Sequence, residues 1–268
     1  MGKSTGRKFS KREAIKFGWE TMKKNFWFFI RISLFLVFYN ISTYFIGEVL
    51  QGESVLLTGG FWMLEFTGTL LIMMGLIKIS LNFYDNKTSK FIDLFMQYGV
   101  LPKVIIANIL NFVILIPVLL PSIVIFVALN WFFGESIAIM GEIIYPLYFA
   151  LTVGVTIIWM IRVWFFDYFI VDKGSGPIEA LKRSWRITKK ATWQMCLFFL
   201  ITIGINLLGT LFILIGLFVT VPTTLLAFAY VYRKLLESEE CYPSAKREGP
   251  NLAEKEKDKI LKNAIPHL

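Results

Sequence analysis

EAIKFGWETMKKNFW occupies residues 13–27, directly ahead of the first strongly apolar run, and EALKRSWRITKKATW occupies residues 179–193, directly ahead of another. Seven of the fifteen positions are identical without a gap, at a constant offset of 166 residues. Each copy opens like a helix. Ser10 stands as an N-cap with Glu13 three places on, the capping-box pairing that satisfies two orphan N–H groups. In the second copy Gly176 takes the cap position, Pro177 the first helical position and Glu179 the third, and proline suits that place because it has no N–H to leave unbonded. An apolar stripe then recurs at helical spacing: Ile15, Trp19, Met22 and Phe26, against Leu181, Trp185 and Thr188. A small residue, Gly18 or Ser184, lies beside each tryptophan, and lysines flank the stripe, Lys16, Lys23 and Lys24 against Lys182, Lys189 and Lys190. Such a helix is expected to lie flat on a membrane, stripe toward the acyl chains and charges toward the phosphates. Trp19 and Trp185 are expected at headgroup depth, where an indole finds apolar surroundings for its ring and a polar neighbour for its N–H. Lys23, Lys24, Lys189 and Lys190 are expected against anionic lipid, at about 1 kcal/mol each.

Beyond the two copies the chain is dominated by apolar residues. Of its 268 residues 56% are hydrophobic and 16% aromatic, with a mean hydropathy of +0.63, whereas soluble domains are about 45–50% apolar. Several runs approach the ~20 residues needed to cross a ~30 Å hydrocarbon core. Six spans are expected, over 26–47, 60–83, 104–130, 143–166, 193–213 and 216–236. The fold class this predicts is all-α, a polytopic transmembrane helical bundle. A fainter third copy, SKFIDLF, places Asp93 ahead of Leu94 and Phe95 before the third span. The design is therefore three tandem helical-hairpin units, each an amphipathic interfacial helix followed by two spans, over 10–83, 89–166 and 176–236. A basic segment, 1–25, precedes the membrane domain of 26–236, and a charged tail, 237–268, follows it with one short helix expected near 252–263. The polar first 25 residues and the length of the run after them do not fit a cleavable signal peptide.

Charge sets the expected orientation. None of the 28 Lys and Arg residues falls in 48–60, 131–143 or 213–217, connections whose only charges are Glu48, Glu53, Glu135 and Glu142. Positive residues are retained on the cytoplasmic side of a membrane, so both termini are expected there. The net charge of +9 is accounted for by these flanks. Anionic lipid headgroups are the expected partner, nucleic acid is not, and the tail offers a docking segment for a protein.

Polar residues inside the spans are the candidate sites. Asn40, Asn108, Asn111 and Asn206 either line a substrate or ion route or make interhelical hydrogen bonds worth about 0.6–2 kcal/mol each. Asn40 and Asn206 share the 166-residue offset and could meet near a pseudosymmetry axis. Glu65 lies only ~8 Å inside the outer end of its span at ~1.5 Å per residue. Arg31, Lys78 and Arg162 lie near cytoplasmic ends and can snorkel, and Asp167 and Asp172 are candidate partners for Arg162. Pro117 and Pro121 are expected to kink or break the third span, since proline removes an N–H and crowds the preceding turn. KGSGP at 173–177 follows no strand and lacks the ending of a phosphate loop, so it reads as a helix cap. Cys196 and Cys241 give no disulfide framework, and His267, the one histidine, is penultimate. Catalysis needs several groups in mutual reach, and the spans hold no histidine and no carboxylate cluster. No enzyme activity, metal or cofactor is expected.

RVWFFDYFIVDKGSGPIEALKRSWRITKK, from Arg162, and INLLGTLFILIGLFVTVPTTLLAFAYVYRKL, from Ile205, resemble a broad, uncharacterised group of prokaryotic six-helix integral membrane proteins. That group is similar to the membrane domain attached to some glycerophosphodiester phosphodiesterases. The resemblance implies a six-helix module in a bacterial or archaeal plasma membrane. It does not carry over the phosphodiesterase activity, whose soluble barrel has no counterpart here. The expected function is a non-enzymatic membrane scaffold or a lipid- or partner-binding module. The alternative is a transporter or channel component with a polar path between the repeats.

Overall fold

The computed structural model describes residues 9–52, 54–133, 138–211 and 216–247. Among these, all regular structure is helical: α1 (Lys11–Lys24), α2 (Phe26–Val49), α3 (Val55–Tyr84), α4 (Leu101–Phe133), α5 (Ala138–Val163), α6 (Phe166–Lys173), α7 (Pro177–Lys189), α8 (Thr192–Leu211) and α9 (Leu217–Arg247). Two 3-10 turns, Phe91–Leu94 and Tyr98–Val100, precede α4. The local chemistry explains the boundaries. Ser10 accepts a hydrogen bond from the Glu13 N–H at 3.3 Å and starts α1. Gly174, at φ 63°, ends α6 in the left-handed region that lacks a steric penalty only for glycine. Pro177 then opens α7 from the extended Gly176.

Five segments are long and apolar enough to cross a membrane: Phe26–Val49, Val55–Tyr84, Phe91–Pro121, Pro146–Lys173 and Thr192–Leu211. The sixth expected span, 216–236, is not among them. It falls within α9, whose apolar content is diluted by Thr220, Pro222, Thr223, Thr224, Arg233 and Lys234. Its place in the fold accounts for that composition. α9 packs against α1, α2, α3, α7 and α8, and Leu226, Ala227, Ala229, Val231, Tyr232 and Leu235 are fully enclosed. A helix surrounded by protein does not need the lipophilicity of one facing lipid.

Three close approaches hold the remaining helices together. α1 runs antiparallel along α9: Tyr230 donates a hydrogen bond to the Glu13 carboxylate at 3.0 Å, while Met22 shares a cluster with Leu226. Midway, Gly18 lies so near the Thr223 carbonyl that any Cβ would collide with it. Likewise the Phe91–Leu94 turn packs on α3, where the Leu94 backbone fills the space a side chain at Gly75 would need. Finally, α7 packs on α4, α5 and α6.

Several expectations are corrected here. The segment before α4 forms 3-10 turns rather than an amphipathic helix. Asp93 caps it, accepting from the Lys90 N–H at 2.8 Å, but Gly99 and Pro102 leave little room for a longer helix. α4 continues through Pro117 and Pro121 without a break. The two prolines are four apart and so on one face, which confines the missing N–H groups to that face. The stripe expected to face acyl chains is divided: its Met22 on α1, and its Leu181 and Thr188 on α7, are buried against protein, together with the neighbouring Ala14, Gly18, Ala180, Ser184 and Ile187. Trp19, Phe26 and Trp185 of the stripe remain exposed. The charged tail is helical as far as Arg247, held by ion pairs from Lys234 to Glu237 at 2.7 Å and from Arg186 to Glu239. The short helix expected near 252–263, and His267, lie outside the described residues.

One clasp ties α3, α6 and α9. Arg233 donates to both carboxylate oxygens of Asp172, at 2.7 and 2.9 Å, and to Asp85 at 2.6 Å. Tyr232 donates to Asp172 at 3.2 Å. The Arg233 and Asp172 side chains retain only 13% and 11% of their exposure, so this pair is shielded from solvent screening.

Candidate functional site

The two copies of the repeated segment build the same feature. On α1, Ile15, Lys16 and Trp19, with Lys11 and Arg12, line a groove of about 550 Å³ closed by Ile201 of α8. On α7, Leu181, Lys182 and Trp185 line a groove of about 380 Å³ closed by Ile114 of α4 and by Trp159 and Val163 of α5. The three helix residues correspond pairwise at the 166-residue offset. Positions i, i+1 and i+4 share one face of a helix, which is why one local sequence yields one surface twice. Trp19 and Trp185 are 45% and 39% exposed, half sunk against the protein with one ring edge open.

The second groove is the more elaborately supported. Ser184 donates to the Arg162 carbonyl at 2.9 Å and accepts from the Phe165 N–H at 3.0 Å. Thr188 donates to the same carbonyl at 3.1 Å. These bonds satisfy carbonyl and amide groups left open where α5 ends and fix α7 across it. The Trp159 indole N–H donates to the Asn111 side-chain oxygen at 3.1 Å, and the Trp159 ring meets that of Trp185 edge-on, centroids 5.4 Å apart. The Arg162 guanidinium lies over the Trp185 ring at 5.2 Å. Its Nε and Nη1 are enclosed without a hydrogen-bond partner among the described residues.

Arg162 thus pairs with neither expected partner. Asp172 is taken by Arg233, and the buried Oδ1 of Asp167 has no partner among the described residues. Of the other candidates, Asn40 donates within its own helix to the Leu36 carbonyl at 2.7 Å, and Asn108 to the Val104 carbonyl at 2.9 Å. Asn206 donates to the Thr202 carbonyl at 2.9 Å and across to the Thr224 hydroxyl of α9 at 3.4 Å. Asn40 and Asn206 therefore bond to different helices and not to each other. Glu65 accepts from Thr69 at 3.3 Å, and its carbonyl accepts from Tyr39 at 3.1 Å. The Lys23 ammonium lies 5.7 Å from the Trp19 ring centroid, and Lys24, Lys189 and Lys190 are exposed. Pro117 and Pro121 are exposed on α4 and line neither groove. No group of three metal-ligating side chains occurs among the described residues.

Sequence reasoning passed over Trp159. The signal was present: Trp159, Arg162 and Val163 stand at i, i+3 and i+4 and must share a face. What that face would meet depended on α7 folding back over it.

A family-wide profile described as "Domain of unknown function (DUF7847)" matches residues 66–235. No curated protein and no solved structure matches the chain.

Proposed function

The chain belongs to the DUF7847 family of domains of unknown function, and on that footing we propose that it is a non-enzymatic module of a prokaryotic plasma membrane that binds the anionic inner face. The observation that carries the reading is the duplicated groove. An exposed tryptophan edge, a lysine and an aliphatic floor recur where two basic helices dock on the bundle. In this reading the basic end faces the cytoplasm, both termini included, and α9 serves as a sixth span shielded by its neighbours. Three tandem units form a ring: the leading segment of each packs on the second span of the unit before it, α1 on α9, the Phe91–Leu94 turn on α3 and α7 on α5. The likeness to the membrane domain of some glycerophosphodiester phosphodiesterases is part of the same proposal.

The asparagines favour this scaffold over a transporter, since Asn40 and Asn108 each direct an amide N–H to a carbonyl of their own helix. A test is tryptophan emission of the protein in lipid nanodiscs. Moving from neutral to partly anionic lipid should shift emission to the blue in a salt-sensitive way, and the double substitution Trp19→Phe, Trp185→Phe should remove most of the shift. Emission that ignores lipid charge would refute the proposal.

A further inference from the structure

The two grooves differ in one respect. Among the described residues only the second has beside it, over the Trp185 ring that lines it, a guanidinium with two buried nitrogens and no hydrogen-bond partner. Arg162 carries five N–H donors on a rigid fork, and it makes no side-chain hydrogen bond or ion pair among the described residues. Lys182, on the groove rim, likewise forms no ion pair among the described residues; the nearby carboxylate of Glu179 is held by Arg183 at 2.8 Å. The Trp185 face offers Arg162 partial compensation, but it satisfies no N–H. Two guanidinium nitrogens withdrawn from water without an acceptor are unfavourable, while the partly exposed remainder of the fork stays within reach of a ligand. Its main chain is meanwhile held by Ser184 and Thr188, so α5 cannot readily unwind to release it. The rest of the groove is apolar: Ile114, Trp159, Val163 and Leu181. Ile114 and Trp185 are partly open to the surroundings, 44% and 39% exposed. The arrangement is a positive pole at one end of an apolar slot.

We infer that this groove is a discrete site for one anionic phospholipid, with the headgroup phosphate held between Arg162 and Lys182 and an acyl chain lying along Ile114 and Trp159. The inference rests on the proposed inward orientation of the basic end, which puts Arg162 at phosphate depth. Guanidinium forks bind phosphate oxygens in pairs, with charge assistance on each bond. Asn111 contributes as a positioning residue by holding the Trp159 ring against the slot. The α1 groove has lysines and an arginine at its rim but no enclosed cation, so it attracts anionic surface without selecting a single molecule.

The experiment is native mass spectrometry of the full chain released from nanodiscs of phosphatidylcholine containing a minor fraction of phosphatidylglycerol. The wild type is expected to retain one phosphatidylglycerol in preference to phosphatidylcholine. Arg162→Gln should reduce that preference about tenfold, the loss of one charge-assisted contact. Arg162→Lys, which keeps the charge, should fall between them, and Lys16→Gln in the α1 groove should match the wild type. Retention of phosphatidylglycerol by wild type and Arg162→Gln alike would overturn the site while leaving the broader lipid-binding function standing. No preference in the wild type would remove both. Should Arg162→Gln fail to purify folded, the comparison passes to Arg162→Lys and Lys182→Gln, and wild-type behaviour in both would overturn the site. A parallel thermal-melting series separates the sources of phosphate. Short-chain phosphatidylglycerol should stabilise the wild type where inorganic phosphate at equal concentration does not, and equal stabilisation by both would refute a lipid site.

Discussion

At the residue scale the decisive groups are two arginines with opposite fates. Arg233 makes a bidentate bridge to Asp172 and a third bond to Asp85 through its two terminal nitrogens, and it acts as a structural clasp. Breaking a buried pair by removing one partner leaves an uncompensated charge, at a cost of about 3–5 kcal/mol. Asp172→Asn is therefore expected to lower the melting temperature of the detergent-solubilised protein by roughly 10 °C. Asp85→Asn should cost much less, since Asp172 still holds the guanidinium. Equal effects would show that the bidentate bridge is not the dominant contact. The clasp also gives physical content to two stretches that stood out in the sequence, IVDKGSGP and AYVYR, because Asp172 lies in the first and Arg233 in the second. Arg162, by contrast, is positioned through its carbonyl while its side chain remains open to a ligand. Arg162 is visible in the sequence as a polar intrusion near a span end, and Arg233 lies within the last expected span. Which of them would find a carboxylate is not visible there, because the answer lies across sequence separations of 61 and 148 residues.

At the scale of elements, amphipathic helices like α1 and α7 have two surfaces to distribute, one packed on protein and one facing outward. A helical wheel shows one apolar stripe and cannot tell where it will be divided. The small residues carried that information. Gly18 and Ser184, at equivalent positions in the two copies, are both points of closest approach, but they work differently. Gly18 admits the Thr223 carbonyl, whereas Ser184 bonds to the Arg162 carbonyl. Gly18→Val is expected to force α1 away from α9, an overpacking cost of about 1–3 kcal/mol. The expected readout is faster proteolysis within 11–24, together with loss of the α1 groove. A variant with unchanged proteolysis and stability would mean that α1 docks through some other contact. The 3-10 turns before α4 illustrate the limit of the repeat: Asp93 keeps its capping role although the helix that should follow is absent.

For the whole molecule, the arrangement depends on all the basic segments lying at one end. α9 packs against α1, α2, α3, α7 and α8, and its middle turns carry Tyr230, Arg233 and Lys234 to where α1 docks, while Glu239 beyond them pairs with Arg186 of α7. If that end is cytoplasmic, alkaline phosphatase fused after Gly52 should be active, and the same reporter fused after Lys173 should be inactive. The reverse pattern would invert the orientation and place both grooves in the wrong leaflet. α9 is also where a hydropathy criterion and the fold diverge. A central helix is solvated by its neighbours: Asn206 donates to Thr224, while Tyr230 and Tyr232 donate to Glu13 and Asp172.

The order of amino acids alone determined the helical class, most of the apolar segments, the helix starts at Ser10 and Pro177, and the pairing of Ile15, Lys16 and Trp19 with Leu181, Lys182 and Trp185. Each of these follows from periodicity, capping or duplication, which act within a few residues or by direct comparison of two stretches. Tertiary structure alone decided that α9 is the hub, that Asp172 goes to Arg233, that Trp159 completes the α7 groove and that Arg162 lies over its Trp185 ring. Those outcomes depend on which helices become neighbours, and burial and electrostatic pairing reward contacts made at a distance along the chain that no local pattern encodes.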